Sequence, residues 1–154
     1  MAWVGMGEGP PDLEGVVSGF GSDEDGAVVL FLGTVRNHNQ GRSVRGLEYE
    51  AYREMGEDVL AAIASEAEER FRTDRIRVYH RTGALKVGEV STLIAVATPH
   101  REEAYAASRY IIEEIKKRLP VWKKEQYVAG EARWLDGQVP QGSKGRQDDD
   151  EDQG

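Results

Sequence analysis

The chain has 154 residues, a length that suggests one domain able to bury its own core without disulfide or metal staples. It contains no cysteine, which excludes disulfides, thiolate metal sites, cysteine nucleophiles and persulfide chemistry on this chain. Its formal charge of −8 argues against a globally basic nucleic-acid binder and leaves room only for a local basic patch.

Residues 1–11 carry Gly5, Gly7, Gly9, Pro10 and Pro11 and read as a flexible lead-in. They show neither the basic nor the apolar region of a secretory signal. The Gly5-x-Gly7-x-Gly9 pattern follows no legible strand and opens no helix, so it makes a poor phosphate loop. Leu13, Val16, Val17 and Phe20 recur at helical spacing and predict a short helix over Asp12–Phe20. Gly26–Arg36 is a predicted strand, and its run AVVLFL implies burial on both faces. That run falls far short of the ~20 apolar residues of a membrane helix, so no membrane role and a cytoplasmic location are expected.

Asn37–Ser43 reads as a mobile polar loop and Val44–Tyr52 as a strand. Gly56–Arg72 is an amphipathic helix with Val59, Leu60, Ile63, Ala67 and Phe71 on its apolar stripe. Arg75–Arg81 alternates as a strand, with Ile76, Val78 and His80 on one face and His80 read as a core histidine. Gly83 and Gly88 bracket a turn, and Glu89–Thr98 is the next strand. Thr98 is placed as an N-cap and Pro99 as the first position of a helix running to Arg118, which Pro120 ends. Val121–Val128 is then extended, and Glu131–Leu135 is a final short strand. The order α-β-β-α-β-β-α-β-β predicts an α+β fold, helices packed on a mixed sheet, with one domain over 12–136. Residues 137–154 are polar and acidic and are predicted to be a disordered tail.

Between His100 and Glu125 stand seven basic and five acidic residues, so this segment is positive within an acidic protein. His100 and Arg101 fall in the first turn of the third helix, where free N–H groups and the helix dipole favour an anion. Lys116 falls in its last turn and Lys123 just beyond Pro120. A reversal at the proline would bring both amines into one cleft, where each lowers the other's pKa and makes a base or nucleophile available. The alternative is that lysines at a helix C-terminus only complement the dipole. Arg36-Asn37-His38-Asn39 leaves a strand for a loop, either as an active-site loop or as an ordinary polar turn. The histidines lack metal-ligand spacing, and neither metal nor cofactor is expected.

Three blocks, GAVVLFLGTVRNHNQG, ATPHREEAYAASRYIIEEIK and KKRLPVWKKE, resemble in order and spacing the large, catalytic subunit of molybdopterin synthase, over roughly Asp25–Leu135. The resemblance implies an α/β-hammerhead-type fold and a homodimer, each copy binding one small ubiquitin-like sulfur-carrier subunit. The implied reaction converts cyclic pyranopterin monophosphate, a pterin phosphate, into molybdopterin. Two sulfurs come from the thiocarboxylate on the small subunit's C-terminal Gly-Gly tail. By motif position the resemblance places the catalytic lysines at Lys116 and Lys123. It places the substrate-binding groups at Thr34, Val35, Arg36, His100, Arg101, Lys124 and Glu125. Val121, Trp122 and Tyr127 are candidates for apolar support of the partner. A chain without cysteine needs a sulfur donor in trans, which agrees with this scheme. Two other readings stay open: an idle paralogue that only binds a ubiquitin-like tail, and a nucleotide-binding protein using the same basic cleft.

Overall fold

The computed structural model describes residues 1–128 and, as backbone, 132–138. In chain order the elements are β1 (Trp3–Gly7), α1 (Leu13–Val17), β2 (Ala27–Thr34), β3 (His38–Asn39), β4 (Arg42–Ala51) and α2 (Arg53–Phe71). There follow β5 (Ile76–Arg81), β6 (Gly83–Lys86), β7 (Val90–Thr98), α3 (Arg101–Arg118), β8 (Val121–Tyr127) and β9 (Ala132–Gln138). A first sheet runs β1-β5-β7-β2 and is mixed, because β1 lies parallel to β5 while the other pairs are antiparallel. A second, antiparallel sheet runs β3-β4-β8-β9, with β6 also paired to β4. The expected α+β class and mixed sheet are borne out.

The core lies between the first sheet and helices α2 and α3. Leu60 and Ile63 of α2 and Ile111 and Ile115 of α3 meet Ile94 and Val96 of β7, all essentially without solvent exposure. Each such side chain contributes roughly 1.5–3 kcal/mol on burial. Several together exceed any cap, so α3 holds its place by its apolar stripe although His100 makes no side-chain capping bond. On the sheet's other face, α1 lays Val16 over Leu93 and Ala95.

Several expectations are corrected. The flexible lead-in contains β1: Val4 and Met6 face the core while Trp3 stacks on Tyr79, ring centroids 6.2 Å apart. The backbone N–H groups of Ala2 and Met6 donate to Glu68 and Glu57 of α2, which satisfies the strand's outer edge. The predicted helix at Asp12–Phe20 stops at Val17, because Gly19 and Gly21 adopt positive φ. The strand predicted to be buried on both faces, β2, is an edge strand with Val28 49% and Leu32 37% exposed. The buried centre is β7.

The loop read as mobile at Asn37–Ser43 is a tight hairpin of β3 with the start of β4. Gln40 and Gly41 both take positive φ, as a type I′ turn requires. The turn between Gly83 and Gly88 contains β6, and β4 can approach it because Gly46 has no side chain: a Cβ there would lie 2.6 Å from the Leu85 carbonyl oxygen. Thr98 ends β7 and donates to the His100 carbonyl instead of capping α3, which begins at Arg101, so Pro99 stands before the helix. The predicted tail begins within β9, which runs to Gln138, and its remainder lies outside the described residues.

Candidate functional site

Alternation along β8 decides which groups of WKKE share a face. Lys123, Glu125 and Tyr127 are buried, whereas Trp122 is exposed and Lys124 half-buried. Lys123 lies opposite Tyr49 of β4 and Glu125 opposite Leu47, on the core side. Lys124 lies opposite Glu48 on the outer face, away from Lys123 and Glu125. The register thus separates two of the predicted substrate groups.

Lys116 stands half-buried in the last turn of α3, and the chain reverses at Leu119-Pro120 into β8. His80, near the end of β5, feels the charge of both lysines. Burial first, and then the positive charges of Lys116 and Lys123, push that imidazole's pKa down to about 4. The two amines thus act electrostatically on one buried ring.

Glu125 is fully buried, and its Oε1 accepts from Asn39 Nδ2 and from the Tyr127 hydroxyl, each at 2.9 Å. The Arg42 guanidinium lies over the Tyr127 ring, 3.9 Å from its centroid. The hairpin after Arg36 therefore reaches the lysine end through Asn39. Thr34 ends β2 at a register shift, exposed. Val35 points into the core, its N–H donating to Glu89 O and its carbonyl accepting from Gly88 N. Arg36 follows, exposed, at the same end of the molecule.

His100 and Arg101, also exposed, lie at the other end. Fifteen residues of α3 separate Arg101 from Lys116, which at 1.5 Å per residue is ~22 Å. The other route agrees: Thr98, two residues before His100, pairs with Ala27 at the start of β2, and Thr34 is its far end, ~23 Å away. Within one chain the structure does not join His100 and Arg101 to Arg36 or to the lysines.

Sequence reasoning held Asn39 only within a possible active-site loop, missed Tyr49 and gave His80 no role at the site. Strict alternation on β8 and the Gln-Gly turn after Asn39 were the available signals. Of the three residues offered as apolar support for a partner, Val121 and Tyr127 are buried, and Trp122 is exposed against Tyr52. A cavity of about 550 Å³ opens there, lined by Glu8, Glu48, Glu50 and Trp122. Three carboxylates make it a poor phosphate site. Among the described residues no His, Asp and Glu side chains gather as a metal site, and no helix is long and apolar enough to cross a membrane.

The family model described as "MoaE protein" matches residues 7–118. The molybdopterin synthase catalytic subunit of Bacillus subtilis is 41% identical over 130 residues, 84% of this chain and 82% of that protein. The protein of the same name from Halalkalibacterium halodurans is 46% identical over 114 residues, 74% of this chain and 72% of that one. Among solved structures, molybdopterin synthase from Staphylococcus aureus matches with a TM-score of 0.79 at 37% identity, covering 85% of this chain and 95% of that chain.

Proposed function

The chain belongs to the MoaE protein family, and from that premise we propose that it is the catalytic subunit of a molybdopterin synthase. It places two sulfurs on cyclic pyranopterin monophosphate. The donor is the thiocarboxylate of a small ubiquitin-like subunit whose Gly-Gly tail enters at the lysine end. The observation that carries this reading is the placement of Lys116 in the last turn of α3 and of buried Lys123 on β8, joined by the reversal at Leu119-Pro120. Lys116 meets the thiocarboxylate carbon, as base or transient acyl acceptor, and Lys123 positions the pterin and assists proton transfer. Glycine suits the tail because it lacks a side chain and threads a narrow channel. The absence of cysteine leaves the sulfur to arrive on the partner.

The site is completed by a second copy of the chain. β2 is an apolar edge strand, and an uncovered edge of this kind invites pairing. Two copies paired antiparallel along β2, about a two-fold axis, would set Thr34 of one beside Ala27 of the other. Arg36 would then stand near His100 and Arg101 of the partner subunit. That joins the phosphate-binding arginines, suited by their planar forks to pair phosphate oxygens, with the lysine end. The ~22 Å that separates the two groups within one chain supports a homodimer and disfavours a lone basic cleft for nucleotides.

The test is turnover of the purified chain with the pterin substrate and three versions of the small subunit. Only the thiocarboxylated form yields dithiolene product; the plain carboxylate binds and inhibits; a form lacking its last glycine does neither. Product formed from free sulfide without a small subunit overturns the reading.

A further inference from the structure

His80 sits at the lysine end, 4% exposed, and takes no part in the chemistry just proposed. Its Nδ1 lies 2.8 Å from the backbone carbonyl oxygen of Arg81. A carbonyl only accepts, so Nδ1 carries the proton and donates, and Nε2 keeps its lone pair. The Tyr49 ring meets the imidazole edge-on, centroids 5.1 Å apart. Tyr49 is also the residue directly opposite Lys123 across β4 and β8. One tyrosine therefore packs the ring and neighbours the strand position from which an amine projects. Burial keeps the imidazole neutral, and the charges of Lys116 on α3 and Lys123 on β8 reinforce this. A ring that resists protonation beside two amines is a poor proton acceptor but a good hydrogen-bond acceptor.

We infer that His80 is a positioning residue for the lysine pair: with its proton fixed on Nδ1 by the Arg81 carbonyl, it holds the Nε2 lone pair as a fixed hydrogen-bond acceptor for an amine of the cleft. This rests on the reading of Lys116 and Lys123 as the reacting groups. A lysine has a flexible four-carbon stem, and anchoring one N–H orients its remaining valences toward substrate. Such orientation lowers the barrier of the chemical step without adding to substrate affinity. A purely packing role would need neither the tautomer nor the acceptor.

The experiment uses the intact chain with thiocarboxylated small subunit and pterin substrate. His80→Asn keeps a donor for the Arg81 carbonyl but has no acceptor at Nε2. His80→Gln restores an amide oxygen near that point. The expected result for His80→Asn is kcat lowered about tenfold or more with KM within about twofold, and for His80→Gln recovery of most of that loss. Wild-type kcat in folded His80→Asn, or no recovery in folded His80→Gln, overturns the inference.

A second readout needs neither a His80 variant nor activity. In protein labelled with 15N-histidine, His80 should show the Nδ1–H tautomer, and its Nε2 resonance should shift in Lys116→Ala or in Lys123→Ala. An Nε2–H tautomer, or a resonance indifferent to both substitutions, contradicts the inference. Full turnover in both lysine variants would instead sink the proposed function, and the resonance would still decide the part played by His80.

Discussion

The two ends of α3 carry opposite designs. At the N-terminal end, His100 and Arg101 are exposed, uncapped by any side chain and set where the helix dipole favours an anion. At the C-terminal end, the charges of Lys116 and Lys123 act on a buried imidazole, and the neighbouring Glu125 is fully buried, its Oε1 accepting from Asn39 and Tyr127. Under the proposed function, one end captures a charged group from solvent and the other works with amines largely out of water. A helix of 18 residues keeps them ~22 Å apart, farther than one small substrate reaches. A rigid element of this length can divide a site between two copies of a chain, and under the proposed function dimerisation is then a condition of activity.

The largest effects are expected at the buried end. Lys116→Ala and Lys123→Ala should each lower kcat by ~10²–10⁴-fold, the contribution typical of a positioned acid–base group. Thermal unfolding should show that both variants remain folded. Near-native turnover in either would erase the distinction between the two ends.

His80 offers a test of the same end through stability alone. Its pKa is near 6.5 in the unfolded chain and is pushed down to about 4 in the fold by burial and by the two lysine charges. Between those values the unfolded state binds the proton and the folded state does not, so stability falls as pH drops from 6.5 to 4 and levels off below 4. The loss should be about 3 kcal/mol, and His80→Gln should lack it in denaturant melts across that range. Identical pH profiles for the two proteins would mean that the ring is not shielded from water.

The exposed arginines, one at each end, should respond differently. Arg101→Ala and Arg36→Ala should weaken binding of the pterin phosphate ~10–100-fold, as loss of a charge-assisted contact does. Calorimetry on the assembled complex measures this, while stability should stay within ~0.5 kcal/mol because both residues are on the surface.

The smallest effect concerns what holds the last turn of α3 in place. Arg118 donates to both carboxylate oxygens of Glu66 on α2, at 2.7 and 3.0 Å, and Tyr110 adds a third bond. Arg118 and Tyr110 hold the Glu66 carboxyl below its usual pKa, so this contribution is present at neutral pH and is lost as pH falls through the lowered value. Both partners are partly exposed, and Glu66→Gln should cost only about 1 kcal/mol in a denaturant melt.

The sequence was most legible where local chemistry dictates local structure. Pro99 and Pro120 bracket α3 to within a residue or two, and the Lys116–Lys123 reversal follows from the second proline. The long helix was readable from its period, although it begins at Arg53 rather than the predicted Gly56, and of the strands flanking it β5 alternates cleanly and β4 only in part. Illegible features depend on distant partners. β1 hides two glycines in a strand whose pairing partner lies more than seventy residues on. The apolar run of β2 signals two apolar faces but not what covers them, and on an edge strand part of that area awaits another surface. The motif block WKKE looks contiguous, yet pleating sends Lys124 to the opposite face from its neighbours. Motif matching places His100, Arg101 and Arg36 together as a functional set, whereas the rise of a helix and the length of a strand keep them apart within one chain.

Subunit complementation tests most directly the claim that the two ends of α3 serve different copies. Lys123→Ala and Arg101→Ala homodimers are mixed under conditions that let subunits exchange, then assayed with thiocarboxylated partner at a pterin concentration low enough that the weakened binding of Arg101→Ala leaves that homodimer nearly inactive. A shared site leaves every mixed dimer with one wholly wild-type site, so activity should rise to about a quarter of wild type after random exchange. If both residues act within one chain, every site in every dimer carries a defect and the mixture stays as inactive as its parents, which would contradict the account.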